Sequence, residues 1–268
     1  MRQWDASNNM KRILTISLLL LAVICTVSAD RRRGLLGVRN VAAGGYSATS
    51  TRFTTDDYLT RGSAFTGIAN GTNGMMSFWI KSYTSGNVET IFCSSGLDLI
   101  LRKTAAGLVQ FKANDNFMPT TLVDITSTAS VEGGAWHHVA ITWSTNADAD
   151  CKIYVDGTDG TTITTRQPGS AAIHYSWTTH RISNVGSMNC DISEFWYAPN
   201  QRIDLASNIT KFRSAGGAPV SLGSDGSTPT GTAPILYYKD PFTTLVNAGT
   251  GGDFTLGAGG LTAGSAIP

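Results

Sequence analysis

Four sets of residues in this 268-residue chain carry side chains able to do chemistry. Carboxylates come first, because cleaving a glycosidic bond takes two carboxyl groups held at a fixed separation. The glutamates are Glu89, Glu132 and Glu194, far apart in sequence, while Asp191 and Glu194 stand three apart on a stretch that reads as a strand. Alternation along a strand sends such a pair to opposite faces unless a bulge intervenes. Glu194 therefore reads as a hydrogen-bonding residue of a strand and not as a general acid. Neither a Gly-x-Ser-x-Gly elbow, a His-Glu-x-x-His zinc helix nor a phosphate-binding loop is present, so other common reaction types have no handle. The chain reads as a non-catalytic module.

The histidines form the second and third sets. His137 and His138 are adjacent, face opposite ways on a strand and cannot chelate one ion; they read as a packed or hydrogen-bonded pair. His174, Tyr175, Trp177 and His180 follow a Gly/Pro-containing stretch. On a loop, such rings can stack on the apolar face of a sugar while a polar edge hydrogen-bonds, which makes these four the expected glycan contacts, with core packing as the other reading. The fourth set is Asn146, Asp148 and Asp150, whose alternating oxygens suit a hard cation but lack the glycine and closing glutamate of an EF-hand loop. A polar turn between strands is the alternative. Cys93, Cys151 and Cys190 are an odd set without Cys-x-x-Cys spacing. They allow one disulfide at most and support no zinc site; small buried core residues is the favoured reading.

The elements that must position these groups are short strands. Met76 to Tyr83, Val88 to Cys93, Leu97 to Arg102 and Leu108 to Lys112 are rich in β-branched and aromatic residues, with a turn at Ala105-Ala106-Gly107. In Trp136 to Trp143, His137, Val139, Ile141 and Trp143 share one face while Trp136, His138, Ala140 and Thr142 share the other. Lys152 to Asp156 runs into Asp156-Gly157, a hairpin signal, and Thr161 to Thr165 continues outward. One helical period occurs, Asp204 to Arg213, with Leu205, Ile209 and Phe212 on one side and Gly216-Gly217 as its stop. Many short strands without long helical periods predict an all-β sandwich of antiparallel sheets with one short C-terminal helix.

Composition agrees. A 41% hydrophobic share with 15% charged residues supports a packed core, and 20 basic against 19 acidic residues leave no surplus for a nucleic-acid backbone. Lys11 and Arg12 precede an apolar run from Ile13 to Val27 and a Val27-Ser28-Ala29 cleavage pattern. Residues 1–29 thus read as a signal peptide, or an N-terminal anchor, since Arg31, Arg32 and Arg33 oppose translocation. The run is too short for a stable membrane span. Removing it takes three basic residues and one acidic one, leaving 17 against 18.

Gly134-Ala135-Trp136-His137-His138-Val139-Ala140-Ile141-Thr142-Trp143, followed by Lys152-Ile153-Tyr154-Val155-Asp156-Gly157, resembles the strand pair of laminin G-like domains in the concanavalin A-like lectin/glucanase superfamily. Asp57-Tyr58-Leu59 resembles the family's opening strand, Met76 to Lys81 its next, and Asp191 to Tyr197 its closing strand. The resemblance implies a jelly-roll of two antiparallel sheets over residues 55–214, after an arm at 30–54 and before a Gly/Ser/Thr-rich extension at 215–268 packing on the sandwich. The glucanase branch carries an E-x-D-x-x-E strand, which is absent here, so a glycoside hydrolase ranks third. Calcium is the cofactor the resemblance suggests; the alternating oxygens of Asn146, Asp148 and Asp150 are its candidate ligands, with Asp115 and Asp124 as further candidates outside any motif. Leu222 to Pro234 and Gly249 to Thr255 resemble the tail after such domains in bacteriophage and prophage structural proteins. The function expected is glycan or cell-surface recognition by a secreted, cell-surface or virion protein. The rival is a structural role with virion or envelope partners and no sugar.

Overall fold

The computed structural model describes residues 46–115, 120–167, 171–184, 188–239 and 244–268. The signal segment, Cys25 and the arm up to residue 45 lie outside the described residues, and residues 46–268 form one compact unit. Its strands are β1 (Thr51–Phe53), β2 (Tyr58–Arg61), β3 (Asn73–Ser82), β4 (Glu89–Ser94), β5 (Leu99–Lys103), β6 (Leu108–Asn114), β7 (Thr121–Ser130), β8 (His137–Ser144), β9 (Lys152–Val155), β10 (Thr158–Asp159), β11 (Thr161–Arg166), β12 (His180–Ile182), β13 (Cys190–Pro199), β14 (Leu236–Tyr238), β15 (Thr255–Ala258) and β16 (Thr262–Ala263). They make two antiparallel sheets of eight strands each. Sheet A runs β10-β9-β8-β3-β13-β1-β16, with β14 also on β13, and sheet B runs β11-β7-β6-β5-β4-β12-β2-β15. This is the jelly-roll sandwich.

Alternation explains the core. On β8, Val139, Ile141 and Trp143 point between the sheets, where Trp143 stacks on Phe111 at 4.2 Å between ring centres. His138 and Ala140 point outward, yet both are fully buried. The reason is a second apolar layer outside sheet A, where Leu205, Phe212 and Leu222 cover Met75, Ala140, Tyr154, Trp196 and the outward Tyr237 of β14. With both faces covered, β3 and β13 read as nearly continuous apolar runs. The helical period shortens to α1 (Leu205–Asn208), capped by the Asp204 carboxylate on the Ala206 N–H at 3.1 Å and continued as a single 3-10 turn.

The last residues finish both sheets: β15 pairs with β2 in sheet B and β16 with β1 in sheet A. Beyond β16 the chain crosses sheet A, where the Ser265 N–H donates to Asp191 at 2.7 Å and the Trp136 indole donates to the Ala266 carbonyl at 2.7 Å. A Cβ on Gly264 would meet Asp191 Cγ at 3.0 Å, so the crossing needs glycine there. Strand β1 falls in the stretch read from sequence as an arm, and β7, β14, β15 and β16 fall where no strand pattern stood out.

Candidate functional site

The outer faces of the two sheets differ. Sheet A is roofed by the chain that follows it, whereas on sheet B the outward positions are partly exposed, apart from Thr90, Cys93 and Ile100, which are buried. Cross-strand register sets two rows there: Thr60, Arg181, Cys93, Ile100, Lys112 and Asp124 in one, Thr90, Arg102, Gln110 and Thr126 in the other. The second row is tied to the first by the Arg102 Nε–H donating to Gln110 at 2.7 Å and the Gln110 amide donating to Asp124 at 2.7 Å.

One end of this face holds a cleft of ≈ 390 Å³ lined by Cys93, Ser94, Ser95, Gly96, Leu97, Thr179, Arg181 and Asn184. Its lip is the β4–β5 turn, where Gly96 has φ 71° and Leu97 φ 61°. Left-handed backbone costs a branched residue about 1 kcal/mol or more, yet Leu97 adopts it with 46% of its surface exposed. Arg181 forms the opposite wall. His180 and Ile182 turn into the core, so alternation turns Arg181 outward. Its guanidinium donates to Asn184 Oδ1 at 3.0 Å and lies 5.3 Å from the centre of the Tyr58 ring. Its Nε is buried without a hydrogen-bond partner, and Arg181 belongs to none of the ion pairs among the described residues. Burial pushes the Cys93 thiol up to about 11, against the opposing pull of Arg181, so this cysteine stays protonated and unreactive.

The sequence-derived glycan contacts lie elsewhere. Tyr175 is 1% exposed in the core. There the Trp143 indole donates to its oxygen at 2.7 Å and its hydroxyl donates to the Asn73 carbonyl at 2.7 Å, which leaves no ring face for a sugar. His180 is buried too, its ring 4.1 Å from Phe65 and 6.0 Å from Phe92, and burial with Arg61 nearby pushes it down to about 3. His174 and Trp177 are half-buried and pack edge to face at 4.4 Å. Their loop is held by Asn70, whose side-chain oxygen accepts the Tyr175 N–H at 3.0 Å. Of the four, the core-packing reading describes Tyr175 and His180, and half-buried His174 and Trp177 keep part of their surface in solvent.

The proposed calcium ligands do not fit the ion as they stand. Asp148 pairs with Arg166, Asp150 with Arg202 at 2.7 Å, and the Asn146 amide donates to Thr72 at 3.2 Å. Guanidinium groups thus hold the oxygens a cation would need. No group of three or more His, Cys, Asp or Glu suited to a metal occurs among the described residues.

The acidic pair is corrected in one respect. A bulge does intervene between Ser193 and Trp196, with Glu194 at φ 50°, and it turns the carboxylate to the roofed side. There it accepts hydroxyls from Tyr46 at 2.5 Å and Tyr237 at 2.7 Å. Asp191 lies on that side too, beneath Ser265 and beside Arg52 at 3.4 Å. Glu194 and Asp191 are 3% and 1% exposed, both buried and held by hydrogen bonds on the roofed side. His137 bonds Asp156 at 2.7 Å and His138 bonds Ser77 at 2.9 Å, each on its own face. Cys93, Cys151 and Cys190 are buried free thiols.

Residues 53–191 match a family model, Laminin_G_3, described as the concanavalin A-like lectin/glucanases superfamily. The chain belongs to this superfamily. A solved structure of a Bacteroides ovatus protein proposed to bind carbohydrate is 16% identical, with a TM-score of 0.54 over 83% of this chain and 62% of that one. A heptameric SAP-like pentraxin from Limulus polyphemus is 13% identical, TM-score 0.48, over 81% of this chain and 95% of that one. Mouse laminin α1 domains LG4-5 are 15% identical, TM-score 0.43, over 60% and 44%. The chain therefore spans less than two thirds of the Bacteroides and laminin chains. No curated protein matches it. In this superfamily member the roof of sheet A comes from residues beyond the match, and the Arg181 cleft lies within it. Arg181 and Leu97 were missed in sequence. The alternation of His180, Arg181 and Ile182 could have shown the arginine, while a strained Leu leaves no trace in a string of letters.

Proposed function

We propose that this protein is a non-catalytic binding module for glycans or cell-surface ligands, acting through the bare face of sheet B and its cleft. The observation that carries the reading is the asymmetry of the sandwich: one sheet is roofed by its own chain, and the other offers polar rows ending in a cleft. A cleft of this size with hydroxyl, amide and guanidinium groups suits a sugar or two. The exposed large apolar residues Tyr83, Val88, Leu97, Ile163, Val246 and Leu256 sit on loops and edge strands, which does not favour a broad protein contact. A fold shared with a protein proposed to bind carbohydrate supports the reading as analogy. Secretion, or display on a cell or virion, would place such a face before its ligand; no helix among the described residues is long and apolar enough to cross a membrane.

The test is binding of the full chain to a glycan panel and to intact bacterial cells. Saturable binding, lost when Thr179→Trp fills the cleft and retained when Thr158→Trp is placed on the other sheet, bears the proposal out. A folded protein that binds neither sugars nor cells overturns it and directs the search to virion or envelope proteins.

A further inference from the structure

The face of sheet B is not electrically neutral, although the chain as a whole nearly is. Its outward strand positions hold Arg102, Lys112 and Arg181 against one acid, Asp124. Arg102 is linked through Gln110 to that acid, while Arg181 has no anionic partner in reach of an ion pair among the described residues. Asp98, which closes the turn at the cleft lip, makes no ion pair with it either. We infer that the cleft takes the carboxylate of an acidic sugar, with Arg181 as the group that recognises it. The inference rests on the glycan-binding reading above and names the class of ligand.

Three observations meet at Arg181. Its guanidinium is held in place, by Asn184 on one N–H and by the Tyr58 ring below, so little side-chain freedom is lost when an anion binds. A planar guanidinium matches a carboxylate in shape and makes charge-assisted hydrogen bonds about twice as strong as neutral ones. The cleft of ≈ 390 Å³ is far larger than a lone anion, and around the charge it offers what a sugar ring needs. The Ser95 and Thr179 side chains supply hydroxyls that make no hydrogen bond to the described residues, and exposed Leu97 supplies an apolar surface for ring C–H groups. The strained backbone of Leu97 keeps that side chain at the lip, where a relaxed turn would present a glycine or asparagine.

Titration calorimetry on the full chain with matched sugars tests this: glucuronic acid against glucose, and sialyl-lactose against lactose. The acidic member of each pair is expected to bind at least tenfold tighter, and to weaken as salt is raised from 50 to 300 mM. Arg181→Gln is expected to cost the acidic sugars ten- to a hundredfold with the melting temperature unchanged, and Arg181→Lys an intermediate loss. Should Arg181→Gln not fold, Leu97→Asp gives the same reading from an exposed position, lowering the acidic-to-neutral ratio by repulsion. Equal affinity for acidic and neutral sugars, or acidic affinity unmoved in both variants, overturns the inference while leaving the binding module standing. Inorganic sulfate bound as tightly as glucuronate overturns the sugar assignment and leaves a bare anion site. A folded chain that binds no sugar of either kind overturns this inference and the proposed function together.

Discussion

At the scale of single residues, the buried polar groups decide more than their number suggests. Tyr175 joins the Trp143 indole to the Asn73 carbonyl inside the core. Tyr175→Phe strands the Trp143 indole N–H, while the Asn73 carbonyl keeps the Asn200 N–H at 2.9 Å, and an unmet buried group costs about 1–3 kcal/mol; chemical denaturation should show that loss while sugar affinity stays unchanged. His138 and His180 are a second case, both pushed down to about 3, by burial first and then by Arg213 and Arg61 respectively. An unfolded histidine titrates near 6.5, so above that pH neither state holds the proton. Below it the unfolded chain binds up to two more protons than the folded one. Stability is therefore complete above pH 6.5 and falls as pH drops toward 3, by about 1.4 kcal/mol per unit for each histidine. Asp156 and Asp191 are held below the usual carboxylate range by hydrogen bonds and nearby positive charge, against their burial, so their contribution is lost only at still lower pH. Urea titrations from pH 7 to 4 check the histidine window, and His180→Phe should halve the slope within it.

At the scale of elements, the turn between β8 and β9 shows how far sequence carries. Asn146, Asp148 and Asp150 have the right oxygens for calcium, but Arg166 and Arg202 arrive from 18 and 52 positions further along the chain and pair with the two carboxylates. Calcium or a chelator should accordingly leave the melting temperature within about 1 °C, and Arg202→Ala should lower it slightly by leaving Asp150 without its counter-charge. Strands with dense apolar or alternating patterns, β3 through β6 and β8, were legible because local sequence sets their faces. β7 was not: small polar residues at Thr126, Ser127 and Thr128 dilute its pattern, and its place between β6 and β11 is decided by neighbours. The same limit explains the site. Burial of Tyr175 and His180 depends on Asn70, Asn73, Phe65 and Phe92, all from distant segments, and local spacing cannot report it. The sharp turn at Asp156-Gly157, by contrast, was legible because both residues take positive φ, 52° and 83°, which that dipeptide favours.

At the scale of the whole molecule, the C-terminal chain is part of the sandwich. It roofs sheet A with Leu222, adds β14 to that sheet and completes both sheets with β15 and β16. A chain ending at Phe254 should keep its inter-sheet core but expose Asp191, Trp136 and the open edges of β1 and β2. Hydrogen exchange should then speed up in those two strands while β6 and β7 stay protected.

The same pairing pattern sets the order of events during synthesis. Among the described strands β1 pairs with β13 and β16, and β2 with β12 and β15, so both wait for these partners until residues 180 onward are made. At roughly 5–20 residues per second that delay lasts about 6–25 s. When residue 180 is made, sheet A can hold β3, β8, β9 and β10, with β3 as an open edge that β13 later covers, and until then that edge is a surface chaperones and proteases can reach.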